Sequence, residues 1–195
     1  FLAFIKRDRN HIGNVFLRSL PYGSIRQVTF ETKTDVLGYG FTAVPEMIYY
    51  VQDNNGDENH MLFAKNVSQK AVKTNRLGRS TISDRRGVKA KILGNNYVDP
   101  RLLIGITDEN SSMYNVYSYN LLTNTLSLVM RNKRFPEVYV DNNLNIRIAY
   151  EEQKDGTAIY YRIKRLRGPR EILTSDRKHW EELLHLSAED SLSNA

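Results

Sequence analysis

The stretch IYYVQDNNGDENHMLFAKNV, residues 48–67, places two apolar runs on either side of a polar cluster. The runs IYYV (48–51) and MLFA (61–64) contain the aromatic and branched residues that favour strands. Between them, Asn55-Gly56 can supply the positive φ that a tight hairpin turn needs. The stretch therefore predicts two antiparallel strands joined by the loop DNNGDEN (53–59).

The acidic loop also raises the question of a metal site or a pair of catalytic carboxylates. An EF-hand loop has glycine at its sixth position and glutamate at its twelfth, whereas counting from Asp53 places glycine fourth and Ala64 twelfth. Asp57 and Glu58 are adjacent, so on an extended chain they point to opposite sides and do not face one substrate as acid and base. The loop is interpreted mainly as a turn. A looser calcium site stays open, but we predict no catalytic residue, metal or cofactor in this chain.

Short strands separated by turns recur along the whole sequence. Apolar residues at every second position indicate half-buried strands, and Asn-, Asp- and Gly-rich turns lie between them. Strand candidates at the same place in successive units begin near Phe1, Ile48, Leu102 and Asn145, at spacings of 47, 54 and 43 residues. Such periods, with about four strands each, are typical of β-propeller blades. We predict an all-β segment of about four antiparallel blades within a seven- or eight-bladed ring, at residues 1–36, 37–80, 81–133 and 134–187, with 188–195 leading to the next blade.

Three local assignments are less regular. Residues 41–44 (FTAV) and 72–77 are predicted as strands. In residues 175–186, Trp180, Leu183 and Leu184 have the i, i+3, i+4 spacing of a helix, with Ser175 or Asp176 as a possible cap. We favour a strand over residues 180–186 because the neighbouring units consist of strands.

Composition limits the classes of function. Hydrophobic residues make up 41% of the 195 residues and charged residues 26%, which is enough for a packed core. No window approaches the ~18 consecutive apolar residues of a membrane span, so we predict no membrane partner. The absence of cysteine excludes disulfides and a thiol nucleophile and favours a cytoplasmic location, with the periplasm left open. The opening residues FLAFIKRD resemble a strand already in progress, so we expect the natural chain to begin upstream.

The net charge of +6 is concentrated in two stretches, RRGVKAK (85–91) and RIKRLRGPR (162–170). A basic surface can indicate nucleic-acid binding. In both stretches, however, the charges alternate with apolar residues, as on a strand with one solvated face, and no aromatic stacking platform accompanies them. We predict no nucleic-acid partner.

Five stretches, in this order and spacing, resemble the amino-terminal propeller of the prolyl oligopeptidase family of serine peptidases, especially its bacterial acylaminoacyl-peptidase and dipeptidyl-peptidase-like members. They are YYVQDNNGDEN (49–59), RGVKAKILG (86–94), DPRLLIGITDENSSMYNVYSYNLLTNTLSLV (99–129), VDNNLNIRIAY (140–150) and HWEELLHLSAED (179–190). The resemblance implies a partner α/β-hydrolase domain in the same polypeptide and peptide substrates whose access the propeller restricts.

The chain itself lacks the residues for that hydrolysis. The nucleophile elbow of such enzymes is G-x-S-x-G, and this string does not occur. The four histidines, His11, His60, His179 and His185, lie in polar or turn contexts. We therefore expect a non-catalytic propeller portion that gates peptide access and docks the hydrolase domain. The alternative is a self-contained propeller that acts as a protein-interaction module.

Two acidic clusters are candidate contact residues. Because hairpin loops lie at the ends of a propeller, Asp57, Glu58 and Asn59 are our candidates for contact with substrate or with the hydrolase domain. Dipeptidyl peptidases use paired glutamates to hold a substrate's amino terminus, but the sequence around Glu151-Glu152 does not match that motif, and we interpret the pair as exposed hairpin charges. An incomplete ring would also expose apolar blade faces, through which the chain is expected to self-associate.

Overall fold

The computed structural model of the chain describes residues 1–53, 56, 59–68, 79–83, 88–165 and 171–192. These residues form short strands, one 3-10 helix and one short α-helix. The elements are β1 (Leu2–Arg7), β2 (Gly13–Arg18), β3 (Ile25–Gln27), β4 (Val36–Phe41), β5 (Met47–Asp53), β6 (His60–Asn66), β7 (Arg79–Thr81), β8 (Ala90–Gly94), β9 (Arg101–Asn110), β10 (Met113–Asn120), β11 (Thr125–Arg131), β12 (Glu137–Val140), β13 (Ile146–Glu152), β14 (Ala158–Ile163), β15 (Leu173–Thr174), the 3-10 helix Arg177–His179, β16 (Trp180–Leu186) and α1 (Ala188–Leu192).

The strands form four sheets that follow the order of the chain. Sheet A contains β1-β2-β3, sheet B contains β4-β5-β6-β7, and sheet D contains β12-β13-β14-β16. Sheet C has the order β15-β11-β10-β9-β8. Neighbouring strands pair antiparallel, except that β15 pairs in parallel with β11. Four strands per sheet were expected. Sheets B and D have four described strands, sheet A has three, and sheet C gains a fifth from the segment that leads to β16.

Three apolar cores lie between successive sheets. The first joins sheets A and B and includes Val15, Leu17, Ile48, Tyr50 and Phe63. The second joins sheets B and C through Leu62, Ala64, Leu102, Ile104 and Ile106. The third joins sheets C and D through Leu103, Val116, Met130, Ile159 and Trp180. The sheets are therefore stacked face to face in the order A, B, C, D, and the prediction of a β-propeller segment is confirmed.

The two middle sheets bury both faces because side chains alternate along a strand. In β6, Leu62 and Ala64 contact the core shared with sheet C, whereas Phe63 between them contacts the core shared with sheet A. In β9, Leu102 and Ile104 point to sheet B and Leu103 points to sheet D. Consecutive residues are thus all buried. This explains why β9 has a continuous apolar run rather than a strict alternation.

The strand predicted at residues 41–44 is wrong. The strand β4 ends at Phe41, and a turn follows in which the Thr42 hydroxyl accepts the backbone N–H of Val44 at 3.2 Å. Glu46 closes the turn with a φ of 57°. Glycine is unfavourable in strands, so the run Gly38-Tyr39-Gly40 gave no strand signal. The predicted strand 72–77 lies outside the described residues. The strand predicted at 180–186 is confirmed as β16.

No helix among the described residues is long and apolar enough to cross a membrane.

Candidate functional site

The loops that follow the first strand of sheets B, C and D meet at one end of the stack. These inner loops are 42–46, 95–100 and 141–145. A cleft of about 340 Å³ lies between the loops 95–100 and 141–145, and Tyr49 of β5 also lines it. Its lining comes from all three sheets: Tyr49, Ile92, Leu93, Gly94, Asn95, Asn96, Tyr97, Val140, Asp141, Asn142 and Leu144. We refer to it as the inner-loop cleft.

Each inner loop bends through one residue in the left-handed region. Glu46, Tyr97 and Leu144 have φ values of 57°, 62° and 60°, which are uncommon for residues other than glycine. In the loop 141–145, the backbone N–H of Asp141 donates to the carbonyl of Asn145, and that of Leu144 donates to the carbonyl of Asp141, both at 2.9 Å. Asp and Asn favour such turns because their side chains bind nearby backbone N–H groups. One left-handed residue therefore recurs in the loop after the first strand of three neighbouring sheets.

Two asparagine amides of the middle loop bind the sheets on either side. The Asn95 Nδ2 donates to the carbonyl of Phe41 in sheet B at 2.7 Å. The Asn96 Nδ2 donates to the carbonyl of Asn142 in the loop of sheet D at 2.8 Å. The Asn96 Oδ1 also accepts the backbone N–H groups of Val98 and Asp99 at 3.0 and 2.8 Å. These contacts fix the rim of the cleft across both seams, that is, across the boundary between sheets B and C and the boundary between sheets C and D.

Two carboxylates of the inner loops are ionised and paired: Asp141, which lines the cleft, and Asp99, in the loop 95–100. Asp141 accepts the backbone N–H groups of Asn143 and Asn145 at 2.9 Å and the Arg147 Nε at 2.6 Å. Burial would raise the pKa of Asp141, but these hydrogen bonds outweigh it and lower that pKa to about 2. Asp99 forms an ion pair with Arg101, whose Nε lies 2.8 Å from Oδ1, and hydrogen bonding from Arg101 lowers the pKa of Asp99. The cleft therefore offers paired charges, which suit an uncharged polar ligand better than a strongly charged one.

Two tyrosines give the cleft an aromatic surface. The Tyr49 ring occupies the space beside Gly40, because a Cβ at position 40 would come within 2.4 Å of the ring. Burial raises the pKa of Tyr49, and the nearby Tyr97 adds to this effect, so the hydroxyl stays protonated at neutral pH. Tyr97 is 65% exposed at the rim. Rings of this kind provide apolar contact area together with a hydrogen-bonding hydroxyl.

The inner-loop cleft lies towards the start of β5, whereas the loop DNNGDEN follows the other end of that strand. Asp53 lies four positions after Tyr49, about 13 Å along the strand at the usual rise of ~3.3 Å per residue. Gly56 has a φ of +84°, and its N–H donates to the Asp53 Oδ1 at 3.2 Å, as a turn requires. Asp57 and Glu58 lie outside the described residues, so the contact role of Asp57, Glu58 and Asn59 stays a prediction. The described residues contain no group of acidic and histidine side chains that could hold a metal ion.

The interpretation of Glu151 as an exposed hairpin charge is wrong. Its carboxylate accepts the Arg134 Nε at 2.9 Å and Nη2 at 2.5 Å, and the Tyr161 hydroxyl lies 3.1 Å away. The Arg134 and Glu151 side chains are only 17% and 22% exposed. Hydrogen bonding from Arg134 lowers the pKa of Glu151. Arg134 lies in the link between β11 and β12, which no local pattern around Glu151 reveals. Glu152, in contrast, is exposed.

No sequence pattern marks the residues of the inner-loop cleft as a site. Asn142-Asn143 is one of the Asn-rich turns expected between strands, but nothing in its own sequence connects it with Asn95-Asn96. The spacing of these pairs is nevertheless informative: Asn96 and Asn142 are 46 residues apart, which is close to the period of the repeat. Aligning the units would have placed both asparagine pairs after the first strand of their sheets.

Comparisons with known proteins give a consistent result. No family model matches the chain. The chain is 41% identical over 189 residues to dipeptidyl peptidase family member 6 of Caenorhabditis elegans, covering 97% of this chain and 25% of that protein. It is 24% identical over 134 residues to dipeptidyl aminopeptidase BIII of Pseudoxanthomonas mexicana, covering 68% of this chain and 19% of that protein.

A solved structure shares the fold. Prolyl oligopeptidase B from Galerina marginata, bound to a 35-residue hydrolysis and macrocyclization substrate, superposes with a TM-score of 0.56 at 12% identity. The match covers 82% of this chain and 23% of that one. This chain therefore spans about a quarter or less of the proteins that it matches. Its predicted resemblance to the propeller of the prolyl oligopeptidase family is confirmed, whereas the acylaminoacyl-peptidase-like character stays a prediction.

Proposed function

We propose that this chain restricts the access of peptides to a hydrolase domain carried by the same polypeptide, because it is a propeller segment of the prolyl oligopeptidase family. The observation that carries this proposal is the inner-loop cleft, where three consecutive sheets present polar and aromatic groups around one opening. The hydrolytic residues lie elsewhere in the polypeptide, since this chain has no G-x-S-x-G string and thus no nucleophile elbow.

The chemistry of the cleft fits an extended peptide segment. Peptide backbones are uncharged and carry alternating donors and acceptors. The carbonyl and amide groups of the inner loops, with the Tyr49 and Tyr97 rings, match both the polar and the apolar parts of such a chain. Asp141 and Asp99 are neutralised by Arg147 and Arg101, so the rim neither attracts nor repels peptides strongly by charge.

The rim is also stiff enough to discriminate by size. Asn95 and Asn96 join the middle loop to both neighbours, and the bends at Glu46, Tyr97 and Leu144 restrict each loop further. A fixed opening admits narrow, unfolded segments and excludes folded domains. By gating we mean this selection of peptides by size at the opening.

The test is cleavage of a short and a long peptide with the same cleavable bond by the full-length protein. Tyr97→Ala removes the exposed ring at the rim, and we expect kcat/KM for the long peptide to rise about two- to threefold relative to the short one. Tyr22→Ala is the matched control, because Tyr22 is 88% exposed in the turn between β2 and β3, away from the cleft. An unchanged ratio for Tyr97→Ala contradicts the gating role. Absence of peptide hydrolysis by the full-length wild-type protein contradicts the peptidase assignment.

Docking of the hydrolase domain is the second part of the proposal. We assign it to the end of the stack that carries the loop 53–59, with Asp57, Glu58 and Asn59 as candidate contacts. Asp57→Asn combined with Glu58→Gln then weakens the association of the separately produced domains and reduces its dependence on salt. A cytoplasmic location stays a prediction from the absence of cysteine.

The self-contained interaction module is the less supported alternative. A closed four-bladed ring would cover the outer face of sheet A with that of sheet D. In the structure both faces are exposed, with Leu2 50%, Tyr139 46% and Leu184 51% accessible to solvent. An open arc of this kind is expected of a segment within a larger ring.

A further inference from the structure

The segment between β14 and β16 leaves sheet D and adds a strand to the outer edge of sheet C. There β15 pairs in parallel with β11, with Leu173 opposite Met130 and Thr174 opposite Arg131. Ser175 extends this contact, because its backbone N–H donates to the carbonyl of Arg131 at 3.2 Å. We refer to residues 171–179 as the clasp.

The clasp also binds the link between sheets C and D. The Ser175 Oγ accepts the backbone N–H of Lys133 at 3.0 Å, and Ser175 is 9% exposed. Lys133 is the second residue after the end of β11, in the link to β12. The clasp therefore covers the point at which the chain passes from one sheet to the next.

A single tryptophan fixes the other end of the clasp to sheet D. Trp180 is the first residue of β16, and its Nε1 donates to the carbonyl of Thr174 at 3.0 Å. Its ring contacts Phe135 edge-on, with the centroids 5.0 Å apart. Leu173 and Trp180 are 4% and 3% exposed, and both belong to the core between sheets C and D. The clasp is thus hydrogen bonded to sheet C while its side chains pack in the shared core.

The clasp returns to sheet D through one short turn. The carbonyl of His179 accepts the backbone N–H of Lys164 at 3.0 Å, which closes the path from β14 back to β16. Because Lys164 directly follows β14, this bond joins the end of the clasp to sheet D, whereas β15 within the clasp pairs with sheet C.

We propose that the clasp locks sheets C and D into one unit that opens as a whole, so that any widening of the stack occurs at another seam. Among the described residues, the seams between sheets A and B and between sheets B and C are closed by apolar cores and side-chain hydrogen bonds, without a strand exchanged between the sheets. Backbone pairing that crosses a seam requires both sheets to separate together. The proposal does not depend on the peptidase assignment, because it concerns only which sheets move together.

The test is hydrogen exchange of the full-length protein, followed by mass spectrometry at increasing concentrations of denaturant. In the wild type, we expect the exchange rates of the amides in β11 and β16 to show the same dependence on denaturant, as in a single opening event. The amides of β5 and β6 should show a different dependence. Different denaturant dependences for β11 and β16 would overturn the proposal, and this comparison needs no variant.

Two variants sharpen the test. Leu173→Ala removes a buried side chain of the clasp, and we expect exchange in β11 and in β16 to become at least about 30-fold faster, with β5 and β6 unchanged. Trp180→Phe keeps a ring but removes the donor to Thr174, and about fivefold faster exchange is expected in the same strands. The matched control Ile172→Ala changes a side chain that is 48% exposed and should have no effect. Faster exchange in β16 alone, or equally in β5 and β6, would overturn the proposal.

Discussion

Arg134 donates hydrogen bonds to both carboxylate oxygens of Glu151, with its Nε 2.9 Å from Oε1 and its Nη2 2.5 Å from Oε2. The guanidinium also lies over the Tyr161 ring, 4.6 Å from its centroid. A bidentate pair of this geometry is stronger than a simple ion pair. It connects the link after sheet C with β13 in sheet D.

Removing one partner of this pair is expected to destabilise the protein. Glu151→Gln leaves the mostly buried Arg134 without its counter-charge, and we expect the free energy of unfolding to fall by about 2 kcal/mol. The double variant Arg134→Met/Glu151→Leu should recover most of this loss, because it leaves no unpaired charge. Urea unfolding measures both effects. The control Glu152→Gln changes the exposed neighbour, and an equal loss there would refute the role of the pair.

The stability of the protein should depend on the ionisation of Asp141. Its pKa is lowered from 3.8 to about 2, so the ionised form stabilises the fold above the ordinary pKa. This contribution is lost as the pH falls through the window from 3.8 to about 2. We therefore expect Asp141→Asn to be less stable than wild type at neutral pH, with a difference that shrinks across that window. Thermal unfolding against pH tests this, and a constant difference would contradict it.

The packing of sheet C on sheet D should not tolerate a methyl group at Gly94. A Cβ there would lie 2.8 Å from the Val140 Cγ2 and 3.0 Å from the Leu144 Cδ2. We expect Gly94→Ala to reduce the free energy of unfolding by about 1–3 kcal/mol. Gly38→Ala is the matched control in β4, because a Cβ at position 38 meets nothing within 4 Å. That variant should be neutral or slightly more stable. Equal losses for the two alanine variants would show that close packing at Gly94 is not the cause.

The amide of Asn96 should hold the rim of the cleft in place. Asn96→Ala removes the bond to the carbonyl of Asn142 and the acceptor for Val98 and Asp99. We expect a loss of about 1 kcal/mol and faster hydrogen exchange in residues 95–100 and 141–145. Asn143→Ala, in the same loop as Asn142 but with an exposed side chain, is the control. Unchanged exchange in both loops would contradict a fixed rim.

The isolated chain should self-associate through its outer faces. On sheet D, Tyr139, Tyr150 and Tyr160 form an aromatic cluster away from sheet C, with Tyr150 and Tyr160 centroids 5.2 Å apart. On sheet A, Phe4 and Phe16 stack at 6.1 Å on the face away from sheet B. Sedimentation velocity should show association of the wild type and less association for Tyr160→Lys. A monodisperse monomer at high concentration would disprove the prediction.

Local patterns were sufficient to predict most strands and their stacking. Alternation and turn residues located β5, β6, β16 and the starts of β9 and β13, and the repeat period indicated stacked sheets. The start of β4 was missed because Gly38 and Gly40 weaken the strand pattern. The structure shows why position 40 is glycine, because the Tyr49 ring fills the space that a Cβ would occupy.

Contacts between distant residues could not be read from the sequence. β15 has only two residues, and its partner β11 lies about 40 residues earlier along the chain, so no periodicity reveals it. The pair of Arg134 and Glu151 depends on the same long-range geometry. The inner-loop cleft lies between turns of separate units, at residues 95–100 and 141–145, so neither turn alone reveals it.

The three apolar cores are separate compartments, each enclosed by two sheets. An ordinary globular domain with one continuous core transmits a packing defect throughout its interior. Here, a harmful substitution between sheets A and B leaves the contacts of sheets C and D intact. Side chains that face one of these cores can therefore change without altering the other two.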